Sequence, residues 1–140
     1  MPKGTTMSIP FATDDWAKAL MAQVNASPTY AEAAKNWEGD FYFIVTHPNH
    51  EEQIIYIDLR HGQAYNACAV DNIASFTPAF TLTAPLAIWQ ELLQKKLDPI
   101  RGIMLRKLHL TGNMMQVLKA PKAATELVAC AIAVDTDWPE

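Results

Sequence analysis

Cysteine is scarce in this 140-residue chain, which has only Cys68 and Cys130. Both sit in apolar segments without metal or redox spacing, so they read as buried free thiols in a reducing compartment and not as a disulfide framework. Long apolar runs are missing as well. No stretch approaches the roughly 20 residues that cross a bilayer, so stable membrane insertion is not expected. Positive charge is thin: the net charge is -4. The nearest approach to a basic face, Lys95-Lys96 with Arg101, Arg106 and Lys107, is too sparse for a nucleic-acid partner. There is no G-x-S-x-G, no glycine-rich phosphate loop and no H-E-x-x-H. No catalytic group, cofactor or metal is therefore expected from local signatures. The first ten residues, MPKGTTMSIP, lack the apolar core of a signal peptide, and Asp137-Trp138-Pro139-Glu140 is not a peroxisomal address, so a cytoplasmic location is the expectation.

What is present is the profile of one globular domain, half hydrophobic and 19% charged, long enough for a core and a pocket. Residues 1–8 read as a disordered leader, with Met7 as an alternative start, and residues 9–136 as a single domain without repeats or linkers. Thr13 is placed to cap a first helix, with Asp14 and Asp15 at its positive end and Trp16, Leu20, Met21 and Val24 on one face. Ser27-Pro28 interrupts it, and Tyr30 to Trp37 reads as a second short helix. Strand material follows at Phe41–Thr46, Gln53–Arg60 and Ala64–Val70, with turns at 47–51 and His61-Gly62. Ser75 to Thr83 reads as a fourth strand, with Phe76, Pro78, Phe80 and Leu82 facing one way and threonines the other. Pro78 there suggests an edge or a bulge.

The period then switches. Pro85 suits the first turn of a helix carrying Leu86, Trp89, Leu92 and Leu93, and Asp98-Pro99 opens another by cap and proline. Leu108 and Leu110 alternate with His109 and Thr111 in a last strand before Gly112-Asn113. Met114 to Lys119 is a helical turn or two, and Pro121 starts a final helix with Ala124, Leu127, Val128, Ala131 and Ile132 on one face. The predicted order is helices, four strands in a meander, two helices, one strand and helix: an α+β domain with a mostly antiparallel sheet covered by helices on one face.

Several of these segments together resemble the sterol carrier protein (non-specific lipid transfer) family, in the form of its stand-alone prokaryotic members. They are Phe80-Thr81-Leu82-Thr83, the helix through Trp89, Lys96-Leu97-Asp98-Pro99, and Lys107-Leu108-His109-Leu110-Thr111-Gly112-Asn113-Met114. The stretch from Asn25 to Tyr30 and Trp37-Glu38-Gly39-Asp40 extends the likeness, which spans residues 12 to 134. Two positions depart from the family pattern, where Lys95 and Arg106 stand in place of glycines. The resemblance implies a five-stranded sheet, helices over one face, and a hydrophobic tunnel between them for a sterol, fatty acid, fatty acyl-CoA or similar lipid.

The candidate tunnel lining comes from this half of the chain. It comprises Phe80 and Leu82 on a strand; Trp89, Leu92 and Leu93 on a helix; Ile103 and Met104; Leu108 and Leu110; and Met114, Met115 and Leu118. The alternative for each is plain core, and Trp89 reads better as a helix anchor than as a shelf for a ligand. Lys95, Lys96, Arg101, Arg106 and Lys107 are placed to meet a carboxylate or CoA phosphate at a tunnel mouth, or are simply solvated. His47 and His50 read as a solvated hairpin tip and His61 as turn chemistry, while Trp138 is expected to be loose. The reading that follows is a non-catalytic carrier of a small apolar ligand. Two alternatives stay open: an enzyme of the ketosteroid isomerase type with Asp40 or Asp58 as base, and a scaffold with a filled core. Association of two copies also stays open.

Overall fold

A computed structural model of the protein describes residues 8–139. Helix α1 spans Asp14–Ala26, and the Thr13 hydroxyl accepts from the Trp16 amide at 3.3 Å, so the expected cap forms. Ser27 ends α1 and at once caps α2, Pro28–Ala33, accepting from the Tyr30 amide at 3.0 Å. The second helix thus starts at the proline expected only to interrupt, and it ends four residues before Trp37. Pro at the first position has no amide to leave unpaired, so it begins a helix as readily as it ends one.

Strands β2 (Glu38–Thr46), β3 (Gln53–Arg60) and β4 (Gln63–Val70) form an antiparallel meander. The β3–β4 hairpin closes through His61 and Gly62, at φ 50° and 84°, the left-handed pair of a type I′ turn. The fourth strand does not continue the meander. β5 (Phe80–Pro85) pairs in parallel with β2, and β6 (His109–Thr111) pairs antiparallel with β5, giving the order β4-β3-β2-β5-β6. The sheet is five-stranded and mostly antiparallel, as expected.

The reason for the missed crossover lies in residues 71–79, which run across the sheet face away from the helices. Phe76 stacks on Tyr56 with ring centroids 3.8 Å apart, and the Tyr42 hydroxyl bonds both the amide and the carbonyl of Phe76. Phe76 and Phe80 therefore bury on opposite faces. The strand begins only at Phe80, leaving Pro78 in the connection.

Helices α3 (Leu86–Leu93), α4 (Pro99–Met104), α5 (Met114–Leu118) and α6 (Pro121–Ile132) complete the other layer. Pro85 is still strand and caps α3 from outside, one residue earlier than a first-turn proline. Asp98 and Asn113 cap α4 and α5 with their side chains. A two-residue parallel pair joins β1 (Ile9–Pro10) to β7 (Thr136–Asp137). Trp138, expected to be loose, packs its ring 4.4 Å from that of Phe11. Residues 1–7 of the expected leader lie outside the described residues, and Ser8 hydrogen-bonds the Asp135 side chain. Among the described residues no helix is long and apolar enough to cross a membrane.

Candidate functional site

Alternation along β2 and β3 sends Phe41, Phe43, Val45, Ile55 and Leu59 toward the helices, where Leu82 and Leu110 join them from β5 and β6. The helices answer with Trp16 and Leu20 of α1, Tyr30 of α2, and Trp89, Leu92 and Leu93 of α3. Pro99 and Ile103 of α4 and Val117 of α5 extend that wall. α6 contributes small and branched residues, Ala123, Ala124, Leu127, Val128 and Ala131. These faces do not meet everywhere, and a cavity of about 100 Å³ remains between them.

The cavity wall brings together six of the residues named from the sequence: Leu82, Trp89, Leu92, Leu93, Ile103 and Leu110. Phe80 and Leu108 are buried beside it but not on it, Phe80 stacking on Phe41 with centroids 5.0 Å apart. Met104, Met114 and Met115 stand on the surface, 67%, 44% and 59% exposed, and Leu118 is half-buried off the wall. The sequence reading did not name Phe11, Trp16, Tyr30, Trp37 and the β2–β3 residues for this wall. The signal was there: the α1 stripe and the Ile55, Ile57, Leu59 face both point inward.

The wall offers a guest almost nothing polar. The Trp16 indole donates to Thr136 Oγ1 at 2.9 Å, that of Trp37 to the Gly39 carbonyl at 3.2 Å, and that of Trp89 to the Ala84 carbonyl at 3.0 Å. Each N–H is satisfied outside the void, so the rings present apolar surface to it. Trp89 is thus both anchor and wall. Burial pushes the Tyr30 hydroxyl above its ordinary pKa, so it stays neutral at physiological pH. The wall residues that keep some exposure are Phe43, Leu93, Ala120, Ala124, Leu127 and Val128, which puts the mouth between the end of α3 and the α5–α6 corner.

The acid–base candidates lie elsewhere. Asp40 accepts from the Tyr56 hydroxyl at 2.7 Å and from the Ala79 amide at 2.7 Å, on the sheet face away from the cavity. Asp58, on the same face, pairs with Arg60 at 2.9 Å. His47 bonds Gln53 and stacks on His50, His61 bonds the Lys35 carbonyl, and His109 is exposed. Among the described residues no group of three His, Cys, Asp or Glu is arranged to hold a metal ion.

Lys95 and Arg106, the two residues standing where glycine was expected, have φ of 63° and 62°. Each follows the last turn of a helix. Lys96 N bonds the Glu91 carbonyl at 2.9 Å and Lys107 N the Gly102 carbonyl at 2.9 Å, the six-to-one bond of a Schellman cap. The chain keeps the glycine conformation without the glycine.

The model of the SCP-2 sterol transfer family matches residues 17–124. The chain belongs to this family. A crystal structure of sterol carrier protein 2 is 32% identical, superposes with a TM-score of 0.80, and covers 89% of this chain and 98% of its own. A conserved hypothetical protein of Thermus thermophilus is also 32% identical, with a TM-score of 0.80 and 94% of each chain covered. The apo form of sterol carrier protein 2 from Yarrowia lipolytica shares the fold at 18% identity and a TM-score of 0.59, with 83% of this chain and 88% of its own covered. Among curated protein sequences none matches significantly.

Proposed function

We propose that this protein binds a lipid, with an acyl chain or a sterol-like ring body, in the cavity between sheet and helices, and carries or presents it unchanged. The observation that carries this reading is the wall itself: apolar side chains throughout, with its indole N–H groups already paired. Membership of a lipid-transfer family supports it. Transfer of apolar surface out of water, worth about 25 cal/mol per Å², then supplies the affinity.

At about 100 Å³ the void is smaller than the roughly 150 Å³ that holds benzene in an engineered cavity, and below the usual 300–1,000 Å³ of ligand sites. A lipid must therefore widen it. The α6 side of the wall is suited to yield, because α6 packs on the other helices and presents alanines at Ala123, Ala124 and Ala131. Chemistry on the guest is not part of the reading, since the named wall residues include no carboxylate, imidazole or thiol. Asp40 and Asp58 face the other way.

Native mass spectrometry of the purified chain, followed by solvent extraction, tests this. A co-purifying lipid, or saturable uptake of a fluorescent fatty acid or sterol quenched through the wall tryptophans, is the expected result. An empty chain that takes up neither would sink it. Turnover of a steroid ketone that disappears in Asp58→Asn would establish the enzyme instead.

A further inference from the structure

Tyr30 is the one wall residue that carries a hydroxyl. It is 1% exposed. The Ser27 cap holds its amide at 3.0 Å and fixes it in the first turn of α2, but no described group hydrogen-bonds its side-chain oxygen. The three indoles of the same wall behave differently, each donating to an oxygen of the protein, as buried tyrosine and tryptophan usually do. Among the described residues no fully enclosed side-chain nitrogen or oxygen goes without a hydrogen bond. The Tyr30 oxygen makes none, so it borders open space, and the space that this deeply buried residue lines is the cavity.

Water is a poor partner for it. A buried water makes about three hydrogen bonds, and the named wall side chains offer it this single free polar group. Tyr30 also stands far from the mouth. The titratable neighbour that acts on its hydroxyl is Cys130, near the end of α6. Along that helix Cys130 is about 15 Å from Ala120, which lies at the mouth.

Building on the lipid-binding reading of this cavity, we propose that the Tyr30 hydroxyl hydrogen-bonds the polar end of the guest and so selects an uncharged lipid with a single hydroxyl or ketone, seated polar end inward. A phenol gives its hydrogen to a ketone oxygen, and gives or accepts one with an alcohol. Burial keeps Tyr30 protonated, so it brings no charge to meet an ion. An ionised carboxylate at the same place would lose its water against apolar walls in return for one neutral donor. That cost keeps a fatty acid's head at the mouth and its tail inward, out of reach of the hydroxyl. Tyr30 thus separates two kinds of guest by the direction in which they lie.

Displacement of a fluorescent fatty acid from the full chain tests this, with 1-decanol, 2-decanone, decanoate and 1-chlorodecane as competitors. Each is measured on the parent and on Tyr30→Phe. The alcohol and the ketone should bind the variant about five- to tenfold more weakly, the worth of one hydrogen bond. Decanoate and 1-chlorodecane should bind both proteins alike. The carbonyl infrared band of bound 2-decanone should lie at lower frequency in the parent than in Tyr30→Phe. The variant should melt no lower than the parent, because the oxygen it loses has no partner in the protein. Three results would each overturn the proposal: an alcohol affinity unchanged in the variant, an equal loss for all four competitors, or a lower melting temperature, which would mean that the protein itself bonds the hydroxyl. A parent that takes up the fluorescent fatty acid but neither decanol nor decanone sinks this proposal alone. A parent that takes up none of them sinks the lipid-binding reading with it.

Discussion

Lys95 and Arg106 hold side chains where the backbone favours none, at φ 63° and 62°. The left-handed conformation costs an ordinary residue about 1–2 kcal/mol. Part of that cost is offset because glycine loses more freedom on folding, by about 0.4–1 kcal/mol. Lys95→Gly and Arg106→Gly should each stabilise the protein by up to about 1 kcal/mol, read as a rise in the urea midpoint. Gly62 is the opposite case. At φ 84°, a Cβ built there would lie 2.7 Å from the Ala31 carbonyl oxygen. Gly62→Ala should lose about 2 kcal/mol or more in the same measurement. These positions were legible one residue at a time. A glycine missing from a family pattern marks a backbone angle, and the angle is retained because the Schellman bonds and the burial of Leu97 and Leu108 behind each cap fix it.

At the scale of elements, sequence reading succeeded where the signal is local. Thr13 and Asp98 each cap the helix that follows, as their spacing predicts, because a cap is decided within four residues; Asn113, read only as a break, caps α5 as well. It failed on the fourth strand, because period-two alternation reports an extended chain and not which face each residue meets. Phe76 continues the alternation into Phe80 yet belongs to the connection on the opposite face, with Tyr42, Ile44, Ile54, Tyr56 and Val70. That connection is pinned by the Tyr56 hydroxyl donating to Asp40 while Asp40 accepts the Ala79 amide. Tyr56→Phe should cost about 1–2 kcal/mol in urea unfolding. Burial first, and the bond to Asp40 second, raise the Tyr56 pKa above its ordinary value near 10. A raised folded-state pKa means the stabilisation is whole below pH about 10 and is lost as pH climbs through the folded value. Stability should therefore fall in the alkaline range. Tyr56→Phe should fall less steeply, with Tyr30, Cys68 and Cys130, all raised chiefly by burial, contributing to what remains.

For the whole molecule, the question is whether the hollow serves a guest or is merely incomplete packing. Sequence alone was silent on this, since an apolar stripe looks the same against a neighbour as against a void. The wall is also assembled from distant parts, Phe11 and Trp16 at one end of the chain and Ala131 at the other, while the candidate lining came only from Phe80 to Leu118. Ala123 separates the two possibilities. It is buried, it lies on α6, and it faces the void. Ala123→Leu would place three more carbons where there is room, so stability should stay within about 1 kcal/mol of the parent, or rise, instead of showing the roughly 1–3 kcal/mol loss of an overpacked core. If the void is a binding site, the same change should cut uptake of a fluorescent fatty acid at least about tenfold, because α6 would then have to move further to admit it. Ligand should also stabilise the parent more than the variant. At a free concentration a hundred times Kd the gain is about 2.7 kcal/mol, which a thermal melt resolves as several degrees. Equal uptake and an equal thermal shift in both proteins would place the guest elsewhere and leave the void as a packing defect.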